Sequence, residues 1–419
     1  MKSDEKPNLF LVSHVIPLGG TAGQQMRVRN KLIAFRNLFH VTFVTVAKDS
    51  EILELKSKLL ESADEVVVLP SVFHKSVLSR FWYRAIGRLV AFLSGVKFSN
   101  YVLGKLEFTS KRLTAALSGR RIDIAVFEYW HSVGCVPTFR QMGIPTVLDM
   151  HNILWRSHER NLQNAGFPEW LRRILVDRYR RKEELAWREY DALIAINRNE
   201  WRYAQERGLS GQRVYYAPMG VDLNLWPYSS QPCSGVTRFA YYGGLGSLHN
   251  ALDAQHCAKH IMPKIWERIP DAEFWIIGSS PPDSVLELAK DPRIHVTGYV
   301  EDVGGVLADV VALICPWSGR YGFRSRLVEV MALGVPTIVT PEAVDGMEFD
   351  DGSGVFFCSK DEEFAAVAIR LAEDSALLEE SSRLARSSVE RLYGFESTYG
   401  RLASDLLGQI AGRSSTGKT

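Results

Sequence analysis

The sequence predicts an α/β protein built from two doubly wound domains, and three observations carry that prediction. Short apolar, β-rich runs alternate with longer helical patterns. One cluster of proline and glycine interrupts the alternation near the middle of the chain. The length, 419 residues, suits two or three domains at roughly 100–200 residues each. Alternating β and α segments favour a parallel sheet with right-handed crossovers.

In the first half, Leu9–Ile16, His40–Ala47, Glu65–Leu69, Asp123–Phe127, Pro145–Met150 and Ala192–Ile196 read as strands. They are apolar through most of their length, as strands covered on both faces should be. Gln24–Phe39, Thr109–Leu117 and Leu171–Tyr190 read as helices. Pro218, Gly220, Pro227, Pro232 and Gly235 then give Ala217–Gly235 a linker composition. The alternation restarts with Phe239–Tyr242, Glu273–Ile277, Ile294–Thr297, Val311–Cys315 and Thr337–Val339, with Val355–Phe357 as a short addition. Ala251–Arg268, Arg326–Leu333 and Asp361–Ala372 are the helical patterns between them. The expected domains are residues 1–220 and 221–395. Ligands of such sheets bind outside the carboxyl ends of the strands, and two facing sheets would enclose an interdomain cleft.

Hydrophobic residues at 46% and charged residues at 23% exclude disorder as the main state. Lys+Arg 50 against Asp+Glu 48 leaves a net charge of only +2, which offers no argument for a nucleic-acid partner. Cys135, Cys233, Cys257, Cys315 and Cys358 are odd in number and widely spaced. They make neither a disulfide framework nor a CxxC metal knuckle, and a reducing cytoplasm fits them. The apolar run Leu9–Pro17 is too short for a signal peptide. No apolar stretch approaches the roughly 20 residues that span a bilayer.

The average charge conceals a local asymmetry. No acidic residue lies between Glu65 and Glu107, a stretch holding Lys75, Arg80, Arg84, Arg88, Lys97 and Lys105 among seven aromatic residues. Arg80, Arg84 and Arg88 recur every four residues and share one helical face. Two readings stand: an interfacial amphipathic helix drawn to anionic lipid, or a core helix whose basic face is solvated.

Two glycine-rich turns follow strands and precede helices: Pro17-Leu18-Gly19-Gly20-Thr21-Ala22-Gly23 and Tyr242-Gly243-Gly244-Leu245-Gly246. Each reads as a tight turn or as a place where backbone N–H groups approach an anion at a helix N-terminus. The first lacks the GxGxxG spacing and a following acidic residue, which weakens a dinucleotide reading. The sharpest segment runs from Trp317 to Thr337. A loop with Arg320, Arg324 and Arg326 leads into a helix closed by Gly334 and Pro336. Arginines at a helix N-terminus oppose its dipole unless a polyanion binds there. Arg326 and Glu329 share a face, which also suits a simple intrahelical ion pair.

Arg324-x-Arg326-x-x-Glu329-x-Met331-Ala332-x-Gly334-x-Pro336 resembles the donor-site signature of family-4 retaining glycosyltransferases. Gly243-Gly244, Asn250-x-x-Asp253-Ala254, Asp271-Ala272, Gly278 and Val296-Thr297-Gly298 agree in order and spacing. In the first half the agreement is looser, through the glycine-rich turn and Val147-Leu148-Asp149-Met150-His151-Asn152. The resemblance implies a GT-B fold, two facing Rossmann-like domains. The first would bind the acceptor and be rejoined by a crossover helix at 396–412. The second would bind the donor. It implies that Glu329 accepts from the donor ribose, that Arg324 and Arg326 clamp the diphosphate, and that Gly243 and Gly244 admit the phosphates. Gly19 and Gly20 would face phosphate or acceptor. A histidine would contact the donor sugar, either His151 in its Asp-x-His-Asn context or His131 in Glu128-Tyr129-Trp130-His131-Ser132. No metal or other cofactor is expected, because fixed cations stabilise the leaving diphosphate.

Two departures stand out. Tyr321 occupies the place of a usual glutamate, and the usual Arg/Lys pair after Gly243-Gly244 is replaced by Leu248 and His249. The expected function is therefore transfer from a nucleotide-diphosphate sugar, with retention, to a glycan, lipid-linked or small-molecule acceptor, in the cytoplasm or peripheral to its membrane. A nucleotide-sugar epimerase and a non-catalytic nucleotide-sugar-binding homologue are the alternatives. Gly412–Thr419 matches a P-loop pattern without the strand and helix that motif needs. His256 and His260 lack the glutamate and third ligand of a zinc site.

Overall fold

A computed structural model of the chain describes residues 6–18, 23–117, 119–208, 212–229, 235–317 and 323–416. They form two compact units, Met1–Pro218 with Tyr399–Thr419, and Met219–Thr398.

The first unit carries seven strands: β1 (Asn8–Val12), β2 (His40–Ala47), β3 (Glu65–Pro70), β4 (Ile124–Glu128), β5 (Thr146–Asp149), β6 (Ala192–Ala195) and β7 (Arg213–Tyr216). All neighbours are parallel, in the order β3-β2-β1-β4-β5-β6-β7. Alternation sorts each strand's side chains into two cores. Leu9 and Leu11 pack with Ile124, Val126 and Val147 on one face. Phe10 and Val12 pack with Ala125, Phe127 and Leu148 on the other. β7 lies on the sheet edge with Arg213 exposed and Val214 to Tyr216 half-buried. An edge strand needs no continuous apolar run, so Arg-Val-Tyr-Tyr, just before the expected linker, is not among the strands the sequence predicts. Leu402, Ala403 and Leu406 of the helix Arg401–Thr416 pack against Val28, Leu32 and Phe35 of the helix Gly23–Leu38. The helix thus runs through most of the expected P-loop-like tail.

Aspartates at the start of strands fix the N-terminal edge of this sheet. Asp123, Asp64 and Asp191 each accept from a backbone N–H opening the neighbouring strand, those of Asn8, Val41 and Thr146, at 2.7–2.8 Å.

The second unit carries β8 (Arg238–Tyr242), β9 (Glu273–Ile277), β10 (Ile294–Gly298), β11 (Ala312–Cys315), β12 (Thr337–Val339) and β13 (Val355–Phe357). They are parallel in the order β10-β9-β8-β11-β12-β13 around a single core. The expected helix over 251–268 is divided into Leu248–His256, a wide turn Cys257–Ile261, and Met262–Trp266. Pro263, which has no N–H to donate, explains the break. Cys135, Cys257, Cys315 and Cys358 are buried and free. No described helix is long and apolar enough to cross a membrane.

Strand order reverses between β1 and β4 in one sheet and between β8 and β11 in the other. Such switch points leave a crevice at the carboxyl ends of the strands, where open α/β sheets take their ligands.

Candidate active site

In the second unit, Gly243 and Gly244 follow β8 at the switch point. The turn is held by Gly243 N–H donating to Ile277 O at 3.0 Å, Leu245 N–H to Ser279 O at 3.0 Å, and Asn250 Nδ2 to Gly244 O at 2.9 Å. A Cβ on Gly278 would sit 1.7 Å from Gly243 O, so only glycine lets β9 end this close to the turn. Gly278→Ala is expected to displace the turn and cost about 1–3 kcal/mol or more. A lowered thermal midpoint is the expected reading.

The helix Ser325–Ala332 starts beside this turn with no acidic residue in its first turn. Arg324 precedes it and lies 5.1 Å from the ring centre of Trp317. Arg326 lies 5.2 Å from the ring centre of Tyr242, the last residue of β8. A Cβ on Gly244 would come within 3.3 Å of Arg326 Nη2. Two guanidinium groups thus stack on aromatic rings at the ends of the switch-point strands, a placement guanidinium favours. Glu329, one helical turn on, is buried. Among the described residues none hydrogen-bonds its carboxylate. Burial pushes that carboxyl up to about 7, against the lowering pull of Arg326. Burial likewise raises Asp253 to about 6, opposed by Arg324 and His249. A buried carboxylate without a donor, beside two stacked guanidiniums, suits hydroxyl groups next to an anionic diphosphate.

In the first unit, rings gather at the carboxyl ends of β1, β4 and β5. Tyr129 stacks on His151 at 4.3 Å and on His131 at 5.6 Å, and His131 stacks on His14 at 5.4 Å. The two histidines singled out from sequence therefore belong to one cluster. Tyr129 and His151 hold left-handed backbones, with φ of 63° and 56°, rare for residues with side chains. Burial lowers His131 to about 3, helped by the charges of His14 and Lys97. It lowers His14 to about 4, with His151 acting the same way and Glu128 opposing. Both are neutral at pH 7. Asn100 Nδ2 donates to His131 Nδ1 at 3.0 Å and Tyr179 OH donates to Asn100 Oδ1 at 3.2 Å.

Beneath the rings lies a fully buried ion-pair network. Arg27 grips Asp149 through Nε and Nη2 at 3.0 and 3.1 Å and donates to Ala217 O at 2.9 Å. Lys31 Nζ pairs with both Glu128 and Asp149. His151 Nε2 contacts Glu128, and its N–H donates to Asp149 Oδ1 at 3.1 Å. Burial would raise both carboxyls, but Arg27 and Lys31 pull Asp149 below the ordinary carboxylate range, and Lys31 with His151 does the same to Glu128. Glu128, Asp149 and His151 are close enough to bracket a metal ion. Two cations already match the two carboxylates, so the set reads as a closed ion-pair network.

The residues singled out from sequence thus fall into two groups, one in each unit. Gly243, Gly244, Arg324, Arg326 and Glu329 come together in the second, and His131 and His151 in the first. Tyr321, Gly19 and Gly20 lie outside the described residues. His256 Nε2 faces Asp361 Oδ1 at 2.8 Å. His14, Arg27 and Lys31 were not foreseen. Their signal was faint: two cations four residues apart on the helix face that also carries Val28, Leu32 and Phe35.

Residues 22–220 match the glycosyl transferase 4-like domain, and residues 240–374 match glycosyl transferases group 1. Among solved structures, the chain is similar to sucrose-phosphate synthase from Thermosynechococcus elongatus, at 14% identity and TM-score 0.65 over 97% of this chain and 100% of that one. It is similar to Anabaena HepE in complex with UDP and glucose, at 14% identity and TM-score 0.60 over 96% and 100%. It is also similar to a putative UDP-N-acetylglucosamine 2-epimerase from Listeria monocytogenes, at 14% identity and TM-score 0.57 over 98% and 97%. No curated protein matches the chain in sequence. The structural likenesses establish a GT-B fold of two Rossmann-like units, and since each unit carries a glycosyltransferase family match, the chain belongs to the group 1 glycosyltransferases and is an enzyme of glycosyl transfer.

Proposed function

We propose that the enzyme takes its glycosyl group from a nucleoside-diphosphate sugar and transfers it with retention to a glycan, lipid-linked or small-molecule acceptor. The observation that carries the donor assignment is the buried Glu329 beside Arg324 and Arg326. In this reading Glu329 accepts from the ribose hydroxyls, while Arg324 and Arg326 neutralise the diphosphate. The anomeric C–O bond to the diphosphate breaks, the acceptor oxygen bonds the anomeric carbon, and the acceptor proton leaves with the nucleoside diphosphate. The two guanidiniums supply the charge a metal would otherwise bring, so none is required. His151 and His131 contact the sugar, His131 as a neutral hydrogen-bonding ring. The free buried cysteines support a reducing cytoplasm.

HepE has been solved with UDP and with UDP-glucose, which makes UDP-glucose the first probe. Calorimetric titration should show binding that Glu329→Ala weakens about tenfold or more, the scale of lost hydrogen bonds to a charged group. Unchanged affinity in that variant would sink the donor-site assignment. The same titration has a pH signature. With its carboxyl raised to about 7, Glu329 is a weaker acceptor below that pH, where the neutral acid offers only its carbonyl oxygen. Affinity should therefore fall as pH drops below about 7 and level off above it. Glu329→Gln should flatten that slope, whereas Asp253, raised only to about 6, would leave a slope at lower pH. The likeness to a putative epimerase supports a second reading. Inversion of the UDP-sugar at C2, observed by NMR without transfer, would favour it.

A further inference from the structure

The helix Val77–Ser94 is well capped. Ser76 Oγ accepts from Ser79 N–H at 3.0 Å, Ser79 Oγ accepts from Ser76 N–H at 2.9 Å, and Gly95 closes the helix at φ 68°. Yet only Gly87 and Ala91 of its 18 residues are buried. A Cβ on Gly87 would meet the Tyr101 ring at 2.6 Å and the Phe98 ring at 2.8 Å, so the helix rests on its neighbours along a narrow seam of small residues. Arg178 of the helix Glu169–Trp187 donates to Leu93 O at 2.5 Å. At about 100° per residue, Leu78, Phe81, Trp82, Leu89, Phe92 and Leu93 fall on one side of the helix. Each is 55–67% exposed. The solvated-face alternative is thus reversed: the apolar side is the one turned to solvent. Phe81, Trp82 and Phe92 alone, at about 150–250 Å² per aromatic side chain, present on the order of 300 Å². That alone reaches the roughly 300–600 Å² of the largest apolar patch on a typical monomer. Trp170 and Ile174, 66% and 50% exposed, stand two turns and one turn before Arg178 on its face.

We propose that this face docks on a lipid bilayer containing anionic phospholipid, with the helix lying in the plane of the interface. Charge selects the occupant. Arg84 and Arg88, both exposed, lie one turn apart beside the apolar side, placed to reach headgroups while the apolar side chains immerse, whereas Arg80 is half-buried towards the seam. No acidic residue between Glu65 and Glu107 opposes them. A second copy packed here about a two-fold axis would set one arginine pair against another with no acid from this segment to pair them. On the glycosyltransferase reading above, bilayer docking narrows the acceptor to a lipid-linked molecule.

Co-sedimentation with vesicles of phosphatidylcholine containing one-third phosphatidylglycerol tests the proposal. The wild type should bind and should be released as salt rises. The triple variant F81S/W82S/L89S should lose about tenfold or more in partitioning. The double variant R84E/R88E should lose at least about fivefold per reversed charge on anionic vesicles only. All replaced residues are exposed, so melting curves should match the wild type and confirm folding. No vesicle binding, or binding indifferent to phosphatidylglycerol, overturns the proposal. So does a wild-type dimer that the triple variant dissociates. Vesicle binding requires no donor, so its failure and the failure of the donor site are separately readable.

Discussion

Asp149→Ala is expected to destabilise the first unit by about 3–5 kcal/mol, the range for removing one partner of a buried ion pair. The carboxylate receives Arg27 through two nitrogens, Lys31 Nζ and the His151 N–H. Its loss leaves two buried cations facing Glu128 alone. At about 2–4 °C per kcal/mol for a unit of this size, the thermal midpoint should fall by roughly 10 °C in a calorimetric scan. Lys31→Met should be nearly as damaging, because it strands carboxylate instead. Combining Lys31→Met with Glu128→Gln removes one charge of each sign and should cost less than the two single changes added together. Strict additivity would mean that these residues are not coupled.

The same network sets an acid limit. Asp149 and Glu128 are held below the ordinary carboxylate range. The stability they contribute is present at neutral pH and lost as pH falls below their unfolded values of about 4. His14 and His131 begin the loss earlier. They stay neutral in the fold down to about 4 and 3, whereas unfolded histidine takes its proton near 6.5. Glu183 and Glu200, whose buried carboxyls are raised to about 8 and 7, gain stability as pH falls towards their unfolded values of about 4 and so oppose this loss. The net fall should therefore be steep only below about pH 4.

Arg326→Ala is expected to lower kcat about 10²–10³-fold, as loss of a fixed charge on a developing anion does. Its guanidinium sits over Tyr242 and against Gly244, where a leaving diphosphate would collect charge in the proposed reaction. Arg326→Lys should recover little of this loss. An ammonium keeps the charge but neither the planar fork nor the stacking. Steady-state turnover with UDP-glucose reads the effect once an acceptor is in hand. Donor hydrolysis reads it before then. A kcat within a few-fold of the wild type would show that Arg326 does not face the diphosphate.

Much of the fold was legible in the sequence because core strands of a parallel sheet are apolar on both faces. Runs such as Val41–Val46 and Ala312–Cys315 admit few other readings. β7 escaped because an edge strand carries no such run. The residues proposed for the donor were legible because they lie within one local segment, Arg324 to Glu329, whose spacing on a helix is fixed by helix geometry. The buried network was not legible, since Arg27, Lys31, Glu128 and Asp149 are brought together from a helix and two strands by burial alone.

By itself, then, the sequence determined the two α/β units, the arginine–glutamate segment Arg324–Glu329 and the acid-free basic stretch, all properties of local pattern. The tertiary structure decided what pattern leaves open. It stacked His14, His131 and His151 around Tyr129 at the carboxyl ends of adjacent strands. It left Glu329 buried without a hydrogen-bond donor among the described residues. It turned the apolar side of Val77–Ser94 outward, because the seam beneath that helix is wide enough only for Gly87 and Ala91. Periodicity states which residues share a face; only packing states which face finds a partner.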